Sequence, residues 1–133
     1  MITQALPLDG AEAPLVQAAV PESEQSFEEL YGERLGAVRS PVSGIVREVT
    51  DEAIVITDRQ GKKHRVDLYH YLPYNRKTYL HNVPLVEPGD KVKAGQLLAR
   101  SNFTDREGRA ALGLNAYVAY VPYKGLNYED AIV

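Results

Sequence analysis

Two adjacent carboxylates, Glu129 and Asp130, stand where the turn-prone run Gly125-Leu-Asn-Tyr-Glu-Asp130 gives way to the apolar residues Ala131, Ile132 and Val133. Carboxylate oxygens held side by side at a strand start suit a hard divalent cation such as Mg²⁺, which takes oxygen ligands. The same pair also describes an ordinary solvated turn. Positive charge gathers in two places. Arg59, Lys62, Lys63 and Arg65 form the densest cluster, and Arg76 with Lys77 lies among Tyr69, Tyr71, Tyr74 and Tyr79. Lysine and arginine clusters can hold phosphate, and tyrosines interleaved with arginine can stack on bases or sugars. Plainer roles remain open, a solvated hairpin end for the first group and a protein interface for the second. His64, His70 and His81 share no metal-ligand spacing, and the chain has no cysteine to complete a thiolate site. Zinc binding and histidine or cysteine catalysis therefore find no support.

The elements that must position these groups are bounded first by composition. With 133 residues, 44% hydrophobic and 25% charged, the chain can bury one core and at most a small second lobe. Its 15 Lys and Arg against 18 Asp and Glu leave a net charge of −3, so attraction to nucleic acid has to come from local clusters. Absence of cysteine fits a reducing compartment. There is no apolar run of about 18 residues and no basic-then-apolar leader, so the expectation is a soluble, cytoplasmic protein without a membrane span.

Along the chain, residues 1–36 read as an arm followed by a short acidic helix. Pro7 and Pro14 interrupt the apolar patches around an Asp9-Gly10 turn, which favours an extended course. From Pro21 to Leu35, Phe27, Leu30 and Tyr31 make a narrow apolar stripe among glutamates; Pro21 or Ser23 can start the helix and Gly32 or Gly36 can stop it. Residues 37–133 read as a β-barrel-like domain. Ile45–Val49, Ala53–Thr57 and Lys62–Leu68 alternate as three strands of a meander, with a turn at Asp58-Arg-Gln-Gly61. A half-repeat follows, Pro88-Gly-Asp90 and then Ala94-Gly-Gln-Leu-Leu-Ala99, whose glycines mark turns. Ala116–Val121 reads as a strand packed on both faces. The expected core comprises Val38, Val42, Ile45, Val46, Val49, Ile54, Ile56, Val66, Val86, Val92, Leu97, Leu98, Leu112, Val118 and Val121.

The run Leu112-Gly-Leu-Asn115, a short apolar stretch, then Pro122-Tyr-Lys-Gly-Leu-Asn-Tyr-Glu-Asp130 resembles a signature of the β subunit of multisubunit DNA-directed RNA polymerases. Further motifs follow the same family in order: Thr3-Gln-Ala-Leu-Pro-Leu8, Glu12-Ala-Pro-Leu-Val16, and the series Tyr74, Arg76, Thr78, Asn82, Pro84 and Val86. Between Arg76 and Thr78 the loop is shorter than in the bacterial pattern. The Pro-Gly-Asp and Ala-Gly-Gln half-repeat looks like the barrel-sandwich hybrid of biotinyl and lipoyl carrier domains, which also occurs inside the β subunit.

The resemblance implies an all-β fold: a small barrel or barrel-sandwich hybrid with one short N-terminal helix, as part of a double-psi barrel. It implies a fragment of the β subunit, serving nucleotidyl transfer from nucleoside triphosphates on a DNA template, and inactive alone because the chain ends at Val133 in mid-strand. The partners implied are β′, α-like chains, the rest of β, DNA and RNA. Mg²⁺ would be shared with β′, with Glu129 and Asp130 assisting at the second, nucleotide-borne ion. Gln4 matches a glutamine near the RNA backbone; Arg59, Lys62, Lys63, Arg65, Arg76 and Lys77 are the other candidate nucleic-acid contacts. The alternative is a non-enzymatic barrel-sandwich adaptor or carrier. A carrier needs a lysine on a tight hairpin between methionines or similar residues, and the only methionine is Met1.

Overall fold

The computed structural model describes residues 5–127. Period-two patterning from Gly44 onward forms β2 (Gly44–Val49), β3 (Ala53–Asp58) and β4 (Lys63–Asp67), following a short β1 (Val38–Arg39). Val46 lies opposite Ile56 and Ile54 opposite Val66, so the apolar residues of the meander fall on one face. One extra residue, Arg47, sits between the Val46–Ile56 and Glu48–Val55 pairs and forms a bulge. After the hairpin β5 (Leu72–Tyr74) and β6 (Thr78–Leu80) come β7 (Asn82–Pro84), β8 (Lys91–Val92) and β9 (Leu97–Ser101). The sheets have the orders β4-β3-β2-β8, β1-β9-β7 and β5-β6, and the fold is all-β with a single short helix among the described residues.

The main core joins the two larger sheets. Val46, Ile54, Ile56 and Val92 from the four-stranded sheet meet Leu98 and Ala99 of β9, with Leu68 and Val86 closing the ends. Val38, Val42, Val49 and Val66 pack against this cluster as expected. A second cluster of Leu35, Leu80, Phe103 and Ala110 seats the helix region.

Two pairs of duplicated turns frame the sheets. In the first, Asp90 and Gln96 each donate a backbone N–H to the carbonyl three residues back, on Glu87 and Lys93. Each side chain also accepts from the amide of that same residue, at 2.8 Å for Asp90 and 3.0 Å for Gln96. The glycine before each, Gly89 and Gly95, has positive φ and donates across to Val46 and Ser40 respectively. In the second, the expected turn at Asp58-Arg-Gln-Gly-Lys62 has an unanticipated twin: Asp105-Arg-Glu-Gly-Arg109 adopts the same hydrogen-bonded turn. In both, the aspartate N–H donates to the carbonyl four residues on, at 3.0 Å each, and the glycine N–H returns to the aspartate carbonyl.

Three expectations are corrected. The helix α1 spans Phe27–Arg34 and starts neither at Pro21 nor at Ser23. Ser26 is its N-cap, accepting from Glu29 N–H at 3.2 Å, because a serine three residues before a glutamate satisfies the free amides of a first turn. Gly32 does not stop the helix; it is buried inside it, where an added Cβ would lie 1.8 Å from the Gly108 carbonyl oxygen. Ala116–Val121 is not a strand. It has no ladder partner among the described residues, and Tyr117 and Tyr120 are 110% and 97% exposed. For the same reason Leu112, Val118 and Val121 are exposed and leave the expected core. The base of that segment is tied to the arm: Glu12 N–H donates to Gly113 O, and Asn115 binds the Glu12 carboxylate and the Ala13 carbonyl at 2.8 and 2.9 Å.

Candidate nucleic-acid interface

The turn at the end of β3 explains how the first basic cluster is displayed. Asp58 Oδ1 accepts from the amides of Gln60 and Lys62, both at 2.9 Å, while Oδ2 meets His64 Nε2 at 2.8 Å. The His64 hydrogen bond, aided by the Lys62 and Gln60 amides, holds the Asp58 carboxyl below the usual carboxylate range. With the carboxylate committed inward, Arg59, Lys62 and Lys63 project from the tip and make no ion pair among the described residues. Arg65 differs: its Nε lies 2.7 Å from Asp67 Oδ1 on the same strand face, so part of its charge is already answered. His64 serves as a structural hydrogen-bond partner here.

The second cluster sits on a tighter hairpin. Tyr74 pairs with Thr78, so only Asn75, Arg76 and Lys77 make the connection. Asn75 and Arg76 both take left-handed backbone conformations, φ 54° and 56°, which is how a short loop reverses a twisted strand pair. Asparagine tolerates this well; arginine does so at some strain. Arg76 and Lys77 are consequently thrust into solvent at the tip.

Beside them the tyrosines and histidines cluster. Tyr71 stacks on His81 with ring centroids 4.1 Å apart and planes 21° apart; Tyr79 and His70 lie 5.3 and 5.1 Å from Tyr71. Tyr74 instead turns inward against Phe103. The anchor beneath is Asn82, fully buried. Its Oδ1 accepts from Tyr69 N–H at 2.7 Å, and its Nδ2 donates to Gly36 O at 2.6 Å and Arg100 O at 3.2 Å. Sequence reasoning used Asn82 only as a motif letter; it placed the turn at Asp58-Arg-Gln-Gly61 but not the role of the Asp58 carboxylate in closing it, nor the matching turn at Asp105. The repeated Asp-Arg-x-Gly-Lys/Arg pattern was the signal that could have found the aspartates.

The two basic groups therefore occupy the ends of different hairpins, one on the four-stranded sheet and one on the two-stranded sheet. Gln4, Glu129 and Asp130 lie outside the described residues. Among the described residues no group of three or more histidine, aspartate or glutamate side chains could hold a metal ion, and no helix is long and apolar enough to cross a membrane.

The described residues thus form an all-β domain with Gly-turned half-repeats and two basic hairpin tips. Residues 39–133 match the family described as RNA polymerase Rpb2, domain 6, and the chain belongs to that family. Over its whole length it is 40% identical to the DNA-directed RNA polymerase subunit beta of Prochlorococcus marinus, covering 12% of that protein. It is likewise 38% identical to the subunits of the same name from Fusobacterium nucleatum and Corynebacterium efficiens, covering 11% of each. The chain thus corresponds to one segment of these β subunits, about a ninth to an eighth of their length. The carrier alternative is not favoured.

Proposed function

We propose that the chain acts as a segment of a DNA-directed RNA polymerase β subunit, contributing to the scaffold around the active centre during nucleotidyl transfer from nucleoside triphosphates on a DNA template. The observation that carries this reading is the alignment of the entire chain with β subunits, signature included. Its partners on this reading are β′, α-like chains and the remainder of β, in a soluble cytoplasmic complex with DNA and RNA. The basic tips at Arg59, Lys62, Lys63 and Arg65 and at Arg76 and Lys77, with Gln4 on the arm, supply contacts to phosphate. On this reading the arm and helix make up residues 1–36 and the β domain residues 37–133.

Glu129 and Asp130 are assigned an assisting role at the second Mg²⁺. Mg²⁺ would neutralise charge on the transferring phosphate and orient it. Two carboxylates fall short of the six ligands an octahedral ion takes, so the pair completes a site largely built by nucleotide and partner subunit. The test is single-turnover extension by assembled polymerase carrying Glu129→Ala with Asp130→Ala, across a Mg²⁺ titration at saturating nucleotide. We expect slowing on the order of tenfold or more, with assembly and template binding intact. Equal rates at every Mg²⁺ concentration remove the pair from the site.

A further inference from the structure

We propose that the groove between the arm, α1 and residues 112–115 is a docking site for a basic segment of a partner protein, one that carries an apolar anchor among lysines or arginines. This goes beyond the β-subunit reading and does not rest on it.

The groove encloses about 430 Å³, with Pro14 of the arm, Phe27 and Tyr31 of α1, and Leu112 and Leu114 as its apolar walls. Phe27 and Tyr31 stack with ring centroids 5.3 Å apart and planes 15° apart, so the helix side is one continuous aromatic surface. Even so, Phe27 is 50% exposed and Leu114 65%. Apolar side chains that line a concavity, stay open to water and are rimmed by polar groups mark a contact surface. Backbone bonds hold the walls in place. Ala110 N–H donates to Glu28 O and Glu12 N–H to Gly113 O, both at 2.8 Å, so the shape exists before a partner arrives.

Charge selects the occupant. Among the described residues, the charged side chains lining the groove are Glu12 and Glu28, and no base joins them. Glu12 Oε2 accepts from Asn115 N–H at 2.8 Å and Glu28 Oε2 from Ala18 N–H at 3.2 Å, and neither carboxylate makes an ion pair among the described residues. The other acids of α1 are answered elsewhere: Glu33 Oε1 lies 3.1 Å from Arg39 Nε, and Glu29 raises the Arg109 pKa through its charge. Residues 1–33 as a whole hold seven of the 18 acidic residues and none of the 15 bases, so no nearby lysine or arginine along the arm neutralises the rim. The adjoining groove shares Glu12 and Asn115 but mixes Arg100, Arg106 and Arg109 with Asp9, Asp105 and Glu107, and selects no sign of charge. A negative rim on an apolar floor fits an apolar anchor flanked by cations, and repels a phosphate backbone. This chain's own ends lack that chemistry. Residues 1–4 and 128–133 contain no base, and the latter bring two more acids.

The experiment uses the full chain and a fluorescently labelled octapeptide, Lys-Lys-Leu-Lys-Lys-Leu-Lys-Lys, followed by anisotropy at low salt. Micromolar binding is expected, weakening as salt screens the rim. Exchanging the peptide's leucines for serine, or its lysines for glutamate, should weaken binding on the order of tenfold or more. Glu12→Gln with Glu28→Gln keeps an oxygen for each backbone amide and should also weaken it on the order of tenfold. Glu48→Gln with Glu52→Gln, exposed in the β2–β3 hairpin, removes the same charge and should stay within about twofold. Leu114→Ser, at an exposed position, should weaken the leucine peptide about fivefold and leave the serine peptide within about twofold. No binding by the wild-type chain, equal loss in the two glutamate pairs, or an equal effect of Leu114→Ser on both peptides overturns the proposal. A concentration-dependent dimer in sedimentation that Glu12→Gln with Glu28→Gln dissociates also overturns it, because a second copy then fills the groove.

Discussion

Asn82 has nowhere to turn for water, and each polar atom of its side chain is taken by backbone from a different part of the chain. A buried donor or acceptor left without its partner loses more than the hydrogen bond gained in forming it, because the desolvation is not returned. Asn82→Ala should therefore destabilise by about 3 kcal/mol, since it orphans the Tyr69 amide and the Gly36 carbonyl together. Asn82→Asp should cost at least as much, because a carboxylate oxygen would then face the Gly36 and Arg100 carbonyls. Urea denaturation of the three proteins checks this, and a loss below about 1 kcal/mol for both variants would show the network to be solvated. Little at this scale was legible in the sequence. Which asparagine lies buried, and which aspartate closes a turn, depends on chain segments far apart in sequence. Asp58 and Asp105 differ, since their partners are local and both turns carry Asp-Arg-x-Gly, a signal present in the sequence although the match between the two turns was not read.

The helix shows how an element's limits are set by what it touches. Ser26 and Glu29 start it by local chemistry that the sequence displays openly, yet Pro21 and Ser23 offered equally regular starts upstream. Nothing local reveals that Gly32 is in mid-helix. Its reason lies across the interface, where the Gly108 carbonyl occupies the space of a Cβ and Ala110 N–H donates to Glu28 O at 2.8 Å. Helix propensity alone favours Gly32→Ala by about 1 kcal/mol. The clash opposes it with the cost of overpacking, about 1–3 kcal/mol, or more when backbone is the obstacle. We expect net destabilisation of about 2 kcal/mol, accompanied by faster amide exchange in Ala110 and α1. An increase in stability would mean the helix is not seated on the Gly108 turn.

Across the whole molecule the meander, its register and most of the core were readable, because alternation in Ile45–Val49 and Ala53–Thr57 leaves one choice of buried face. The signature segment was not. Tyr117, Val118, Tyr120 and Val121 carry a strand-like pattern, but a strand is made by its neighbour, and the described residues supply none. Ile56→Ala should accordingly cost about 2–4 kcal/mol through lost transfer energy and a cavity. Val118→Ala should fall within about 0.5 kcal/mol, as for any exposed site. Chemical denaturation of both distinguishes the core from the segment, and a comparable loss for Val118 would place it inside. The twin aspartate turns carry one more consequence. Around Gly61 there is open space, whereas the Gly108 backbone carbonyl fills the place that a Cβ on Gly32 of α1 would take. The first turn is thus a place where an epitope or fluorophore-bearing peptide can be spliced in without disturbing the sheets, and the second, nearly the same five letters, will accept no such insertion.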